Sequence, residues 1–207
     1  MARWVTPVVL AVALAAPAPL SADERRSVRS MLELRHDGVV PQGWDLSCGA
    51  AALSTLLTYE HGDPVSEAQV VAGLLQHADA KRIRDQGGFT LLDLKRYAAA
   101  RGYSPAGFGN VTLAALARLG PAIVPTLAGG QPHFMVFRGL AKGKVILADP
   151  AYGNRIMRPE QFEALWSPRV AFVVRGDPRG TARLRDETAS APLVPDGVIR
   201  GTARWAP

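Results

Sequence analysis

The sequence has a single cysteine, Cys48, in 207 residues, so it cannot close an intramolecular disulfide. Aromatic residues make up 7% of the chain, and the 24 Lys and Arg against 18 Asp and Glu are spread along it without a dense basic run. Nucleic-acid-binding domains usually cluster basic residues and interleave them with aromatic ones. We therefore predict no nucleic-acid partner and interpret the net charge of +6 as a contribution to solubility.

The N-terminus lacks an apolar run long enough for a comfortable membrane span, since its apolar stretch covers only residues 5–16. Arg3 precedes this stretch, and small residues and prolines follow it. That order is typical of a secretory signal. It predicts a signal peptide over residues 1–22 and a periplasmic or secreted protein. Leu20 is larger than the residue usually found three places before a cleavage site, so an uncleaved anchor stays open as the only membrane contact.

With 48% hydrophobic residues, the chain can bury the core of one domain. Helical patterns come first, at residues 49–59, after the candidate cap Ser66, from Thr90 to Gly102, and from Thr112 to Gly120. Strand-like runs follow, AIVPTLA, HFMVFRGL, KVILADP and AFVVR, with a short helix opening at Pro159. This order predicts an α+β fold in which N-terminal helices pack on a C-terminal antiparallel sheet. The predicted divisions are a linker at 23–40, the domain at 41–175 and an extended or disordered tail at 176–207.

Cys48 lies where the first helical pattern begins. Because the chain has no second cysteine for a disulfide, Cys48 is either a nucleophile or a buried inert residue. Its position favours the nucleophile, since a thiol at the N-terminus of a helix is favoured as the thiolate. A nucleophilic thiolate needs a base. His36, His61 and His77 are predicted to be solvated, whereas His133 opens an apolar strand after a glycine turn and is the candidate base.

Asp149 is the candidate group that orients His133. If HFMVFRGL and KVILADP form a hairpin through AKGK, the start of one strand lies beside the end of the other. Gln42, in the loop before Cys48, is the candidate donor to an oxyanion. The ordinary alternatives stay open: Asp149 as a turn residue before Pro150, Gln42 as a solvated loop residue. Residues 87–89 either line a substrate groove or form a plain loop before the helix that Thr90 caps, and we predict the plain loop.

Together these motifs, Q-x5-C-G-x-A-x-L at residues 42–53, HFMVF at 133–137 and Asp149–Pro150, resemble the bacteriocin-processing, double-glycine leader peptidase family. The resemblance implies a papain-like fold, with Cys48 as nucleophile, His133 as base and later acid, Asp149 as its orienting group and Gln42 as oxyanion donor. Many exporter-borne members have an acid just before the cysteine, where this chain has Ser47. With its own export signal and no transporter segments, the chain is most similar to the stand-alone periplasmic branch, some members of which accompany secreted amyloid or pilus systems.

We therefore predict an exported cysteine endopeptidase that cuts a peptide or protein substrate, with Gly-Gly before the cut as the cleavage motif that the family implies. No cofactor and no metal are expected, because the sequence has no clustered Cys and His ligand set. Two other functions stay open. The first is a catalytically silent module that binds a secreted substrate. The second is a thiol-dependent amidase or transpeptidase.

Overall fold

The computed structural model describes residues 30–180, 184 and 194–195, and the predicted signal peptide lies outside them. The helices are α1 (Met31–Arg35), α2 (Cys48–Thr55), α3 (Glu67–Leu75), α4 (Ala80–Gln86), α5 (Leu91–Ala100), α6 (Leu113–Leu119) and α7 (Pro159–Leu165), and a π-helical turn at Leu56–Glu60 continues α2. The predicted caps Ser66, Thr90 and Thr112 each accept a hydrogen bond from a backbone N–H in the first turn of α3, α5 and α6. No helix among the described residues is long and apolar enough to cross a membrane.

The strands form one mixed sheet. They are β1 (Ser104–Phe108), β2 (Ala122–Ala128), β3 (Gln131–Ala141), β4 (Lys144–Asp149), β5 (Gly153–Met157), β6 (Ala171–Arg175) and β7 (Val194–Pro195), in the order β1-β6-β2-β3-β4-β5-β7. All described pairs are antiparallel except β5 with β7. The predicted hairpin of β3 and β4 is present, and its turn residues Lys142 and Gly143 both have positive φ.

Helices cover both faces of this sheet. On one face, Val136 of β3 belongs to a core cluster with Leu53 of α2 and Leu94 of α5. On the other face, Phe137 packs in a second cluster that contains Phe162 of α7. Alternate residues of β3 therefore supply the two cores. The α+β class and the packing of N-terminal helices on the sheet are confirmed, and the second helical layer, from α6 and α7, adds to the prediction.

Two strands of the predicted domain were not predicted from the sequence. β1 contains Pro105 and Gly107, which are uncommon in strands, and it forms at the sheet edge by pairing with β6. β5 has no strand-like run, because AYGN at 151–154 is typical of a turn, yet Gly153 pairs with Asp149 and the strand continues along β4. Both strands depend on a partner strand, which a local pattern does not contain.

Described residues of the predicted C-terminal tail contact the domain. Arg179 N–H donates to His61 O at 2.7 Å, and Leu184 N–H donates to Tyr59 O at 3.1 Å. The Leu184 side chain is fully buried. Val194 pairs with Arg155 through the backbone of β7. The remaining tail residues lie outside the described part of the chain.

Candidate active site

Cys48 is the first residue of α2 and is buried. Ser47, at the N-cap position, makes no side-chain cap of this helix. Its hydroxyl instead lies 2.7 Å from Trp44 O and within hydrogen-bond distance of the Glu67 carboxylate. The first N–H groups of α2 thus keep their positive character next to the thiol, which favours negative charge there.

Gly49 allows α2 to approach β3 closely. A Cβ atom at this position would lie 3.1 Å from Phe134 Cδ2, tighter than most carbon contacts. Phe134 follows His133 in β3. The missing side chain at residue 49 therefore lets the cysteine at the helix start reach the histidine on the strand.

His133 joins the thiol to Asp149. Its Nε2 lies 2.8 Å from Asp149 Oδ1, and its ring lines the same groove as the Cys48 side chain. Burial alone would lower the pKa of His133, but the hydrogen bonds with Asp149 and Cys48 and the attraction of their negative charges raise it from 6.5 to about 9. The imidazole therefore carries a proton near neutral pH, as a thiolate–imidazolium pair requires.

Asp149 is fully buried at the end of β4. Besides His133, its carboxylate accepts hydrogen bonds from Ala151 N–H at 2.9 Å and from Arg155 Nη1 at 2.7 Å. Burial would raise the pKa of Asp149, but the hydrogen bond and charge of His133 and the Arg155 guanidinium hold it below its usual range. Asp149 is thus ionised while it contacts His133.

The role of Arg155 was not predicted from the sequence. It lies on β5, which was not predicted as a strand, so no pattern connected it with Asp149. Its buried guanidinium also lies 5.8 Å from the centre of the Tyr152 ring. A prediction of β5 and of its register against β4 would have placed Arg155 beside Asp149.

Gln42 lies beside the turn that follows Asp149, because its backbone N–H donates to Pro150 O at 2.9 Å. Its side-chain Nε2 donates to Trp44 O at 3.2 Å. Its Oε1 is buried and has no hydrogen-bond partner among the described residues. The bond to Trp44 uses one of the two N–H groups of the amide and orients the other.

A groove of about 540 Å³ runs past the thiol and the imidazole. Its lining includes Cys48, His133, Gly87, Gly88, Phe89 and Leu92. Residues 87–89 were predicted to be a plain loop, and the structure corrects this, because all three line the groove. Gly88 has φ of +135°, and a Cβ there would lie 3.0 Å from Leu46 O, so a larger residue does not fit this wall without a shift.

The other histidines lie apart from this groove. His61 was predicted to be solvated, but it is buried, and its Nε2 lies 3.1 Å from Val174 O. The contact with the end of β6 replaces water at that ring. His77 is exposed, and His36 is half-buried, with Nδ1 lying 3.1 Å from Leu32 O.

No three His, Cys, Asp or Glu side chains of the described residues cluster in a way that would hold a metal ion. The groups that do meet are a thiol, a protonated imidazole and an ionised carboxylate, with backbone N–H groups of a helix N-terminus beside the thiol. This arrangement suits nucleophilic attack by sulfur on a carbonyl carbon.

Comparison with known proteins gives the same kind of chemistry. The model of the Peptidase C39 family matches residues 37–178. The chain is 37% identical over 159 residues to the probable functional amyloid protease FapD of Pseudomonas aeruginosa, covering 74% of this chain and 70% of that protein. It is 36% identical over 154 residues to its namesake from Pseudomonas fluorescens, covering 73% of this chain and 66% of that protein.

Solved structures with the same fold include a double glycine motif protease from an AMS/PCAT transporter, in complex with its leader peptide. Its TM-score is 0.54 at 23% identity, covering 66% of this chain and 89% of that one. The peptidase domain of Streptococcus ComA, a bi-functional ABC transporter, also has a TM-score of 0.54, at 21% identity, covering 67% of this chain and 98% of the domain. The papain-like fold expected from the motifs is thereby confirmed, and the protein belongs to the Peptidase C39 family of cysteine peptidases.

Proposed function

We propose that this protein is an exported endopeptidase that cuts a peptide or leader segment of a protein belonging to a secreted fibre or amyloid system. Cys48 is its nucleophile, His133 its base and acid, Asp149 the group that orients His133, and Gln42 the oxyanion donor. The observation that carries the proposal is that Cys48 and His133 line one groove, with 2.8 Å between His133 Nε2 and Oδ1 of the buried Asp149.

In the proposed mechanism, the Cys48 thiolate attacks the scissile carbonyl carbon. The Gln42 amide and the Cys48 N–H stabilise the oxygen that becomes negative. His133, protonated because its pKa is about 9, gives its proton to the leaving amine. It then takes a proton from water, whose oxygen attacks the thioester and releases the acid product and the free thiol.

The substrate class is supported by the relatives and by the groove. Two relatives carry the name probable functional amyloid protease, and a protein of the same fold is a double glycine motif protease. The groove wall at Gly87 and Gly88 is formed by backbone. A wall of this kind suits an extended substrate segment whose residues at the cut are small, such as Gly-Gly. The proposal that the protein is exported rests on the prediction that residues 1–22 are a signal peptide.

Cys48→Ala is the test of this function. We expect it to abolish hydrolysis with the fold intact, because no other described side chain near His133 is a thiol. A mass-spectrometric survey of protein N-termini in the envelope of the native host compares wild type with Cys48→Ala. Termini that vanish in the variant identify substrates, and the residues before each cut show whether Gly-Gly is recognised.

Identical surveys, with the protein expressed, would exclude the endopeptidase. A binding module would then be supported if iodoacetamide labels Cys48 no faster than a free thiol. Products with new amide bonds or released ammonia would support an amidase or transpeptidase.

A further inference from the structure

The loop between Gln42 and Cys48 is held by a carboxylate from another element. Glu67, in the first turn of α3, is buried. Its two oxygens lie 2.8 and 3.0 Å from Gly43 N, and its Oε1 also accepts from the Ser47 hydroxyl. One side chain thus binds the residue that follows Gln42 and the residue that precedes Cys48.

A chain of hydrogen bonds continues from this carboxylate to the Gln42 amide. Ser47 Oγ lies 2.7 Å from Trp44 O, and Trp44 N–H donates to Ser47 Oγ at 3.3 Å. Trp44 O in turn accepts from Gln42 Nε2 at 3.2 Å. The orientation of the amide therefore depends on Trp44, which depends on Ser47 and, through it, on Glu67.

The buried position of Glu67 is compensated by these N–H and O–H donors and by the N-terminus of α3, which favours negative charge. At Gly43, a Cβ atom would lie 3.0 Å from Glu67 Oε2, so the carboxylate is seated directly against the backbone of the loop. A carboxylate that packs this closely restricts the conformation of the loop and also accepts hydrogen bonds from the loop's N–H and O–H donors.

We propose that Glu67 is a positioning residue for oxyanion stabilisation, which holds the Gln42 amide and the Cys48 N–H at a fixed separation. The inference rests on the proposed function, since it assigns Glu67 a part in that reaction. Glu67 touches no reacting atom. It acts through the loop, and its effect is confined to the step in which a carbonyl oxygen becomes negative.

Glu67→Gln tests the inference. Glutamine keeps the shape of the Glu67 side chain but places an N–H₂ group where one carboxylate oxygen accepts a hydrogen bond. We expect the kcat for a peptide substrate found in the N-terminal survey to fall about 10- to 100-fold, part of the 10²–10³-fold value of a full oxyanion donor. KM should change little. Alkylation of Cys48 by iodoacetamide, which forms no oxyanion, should stay within about twofold of wild type.

Glu160→Gln is the matched control, because Glu160 is an exposed acid in the first turn of α7. It should leave both rates unchanged. In a Gln42→Ala background, Glu67→Gln should cause no further loss of kcat, because the group it positions is gone.

Equal losses of hydrolysis and alkylation would overturn the inference, since Glu67 would then act on the thiol or on the fold. Unchanged hydrolysis would overturn it as well. If Glu67→Gln does not fold, Ser47→Ala interrupts the same chain and should lower kcat without lowering alkylation. A wild-type protein without Cys48-dependent hydrolysis would instead refute the proposed function itself.

Discussion

Asp149 sets the electrostatics of the candidate active site at the scale of single residues. A carboxylate buried without partners would take up a proton. Here the Arg155 guanidinium, the Ala151 N–H and the His133 ring compensate its charge. The ionised carboxylate in turn raises the pKa of His133. The partners that keep the buried Asp149 ionised therefore also favour the protonated form of His133.

We predict that Asp149→Asn lowers kcat/KM by about 10²-fold or more near pH 8, since a well-placed acid–base group contributes at least that. The pKa of His133 is raised to about 9, so the imidazolium is present below that pH and is lost above it. Without the carboxylate the pKa falls, and the alkaline limb of the pH profile moves to lower pH. Measurement of kcat/KM between pH 6 and 10 checks this.

An unchanged alkaline limb in Asp149→Asn would show that Asp149 does not control the protonation of His133. Asp85→Asn removes a carboxylate from the surface pair with Lys81 and serves as the control. It should reproduce the wild-type profile.

Residue types and local spacing were enough to connect His133 with Asp149, because a hairpin joins two segments that are close in sequence. Arg155 and Glu67 were not found. Glu67 is an acid in a first helical turn, a common surface feature, and nothing in the sequence indicates that it is buried against Gly43. Its role arises only when α3 packs beside the loop that precedes α2.

At the scale of elements, the decisive contact is that of α2 with β3. Gly49 and Phe134 meet where the helix begins, one residue after Cys48 and one after His133. Helix and strand each form from local preferences, but the distance between them depends on the size of the residues at this contact. Small changes there alter the geometry of thiol and imidazole.

We predict that Gly49→Ala destabilises the protein by about 1–3 kcal/mol, as overpacking of a close contact does. It should also lower turnover, by up to about 100-fold, because the thiol and imidazole are displaced. Thermal unfolding and kcat measure the two effects. Gly109→Ala is the control, since a Cβ there meets no atom within 4 Å. Wild-type stability and kcat in Gly49→Ala would refute the role of this contact.

The elements predicted correctly are those with local signals. α3, α5 and α6 have caps that the sequence contains, and β3 and β4 have apolar runs around a turn. The short helices α1 and α4, with five and seven residues, lacked a long periodic pattern. β1 and β5 lacked one too, and both exist because a neighbouring strand completes their hydrogen bonds.

At the scale of the whole molecule, the family match ends at residue 178, but the chain continues to contact the domain. Arg179 Nη1 lies 3.0 Å from Asp63 Oδ2, and the same carboxylate accepts from Arg101 and Tyr103. Further on, the buried Arg138 guanidinium donates to Leu184 O. These contacts connect the described tail residues to the helical layer and to the sheet.

We predict that Asp63→Asn lowers the free energy of unfolding by about 1–3 kcal/mol, the cost of leaving hydrogen-bonded charges without their acceptor. Hydrogen bonding by Arg101 outweighs burial and, with Tyr103 and Arg179, lowers the pKa of Asp63 below 3.8. The contribution is therefore present above about pH 3.8 and is lost as the pH falls through the lowered pKa. Urea unfolding at pH 7 and pH 3 measures it.

Asp85→Asn is the control here also, because an exposed ion pair contributes about 1 kcal/mol or less. If Asp63→Asn and Asp85→Asn have equal effects at pH 7, the Asp63 cluster does not stabilise the protein.

The sequence by itself determined the helix caps, the hairpin of β3 and β4 and the α+β class. It also determined the choice of four candidate site residues, Gln42, Cys48, His133 and Asp149. These features depend on local spacing and on residue chemistry. Only the tertiary structure decided the groove wall at residues 87–89, the burial of His61, the partnership of Arg155 with Asp149 and the hold of Glu67 on the loop. Asp149 and Arg155 are only six residues apart, but the strand that carries Arg155 has no local strand signal. The other contacts join elements or loops that are distant in sequence. They follow from how layers pack, which no short stretch of sequence contains.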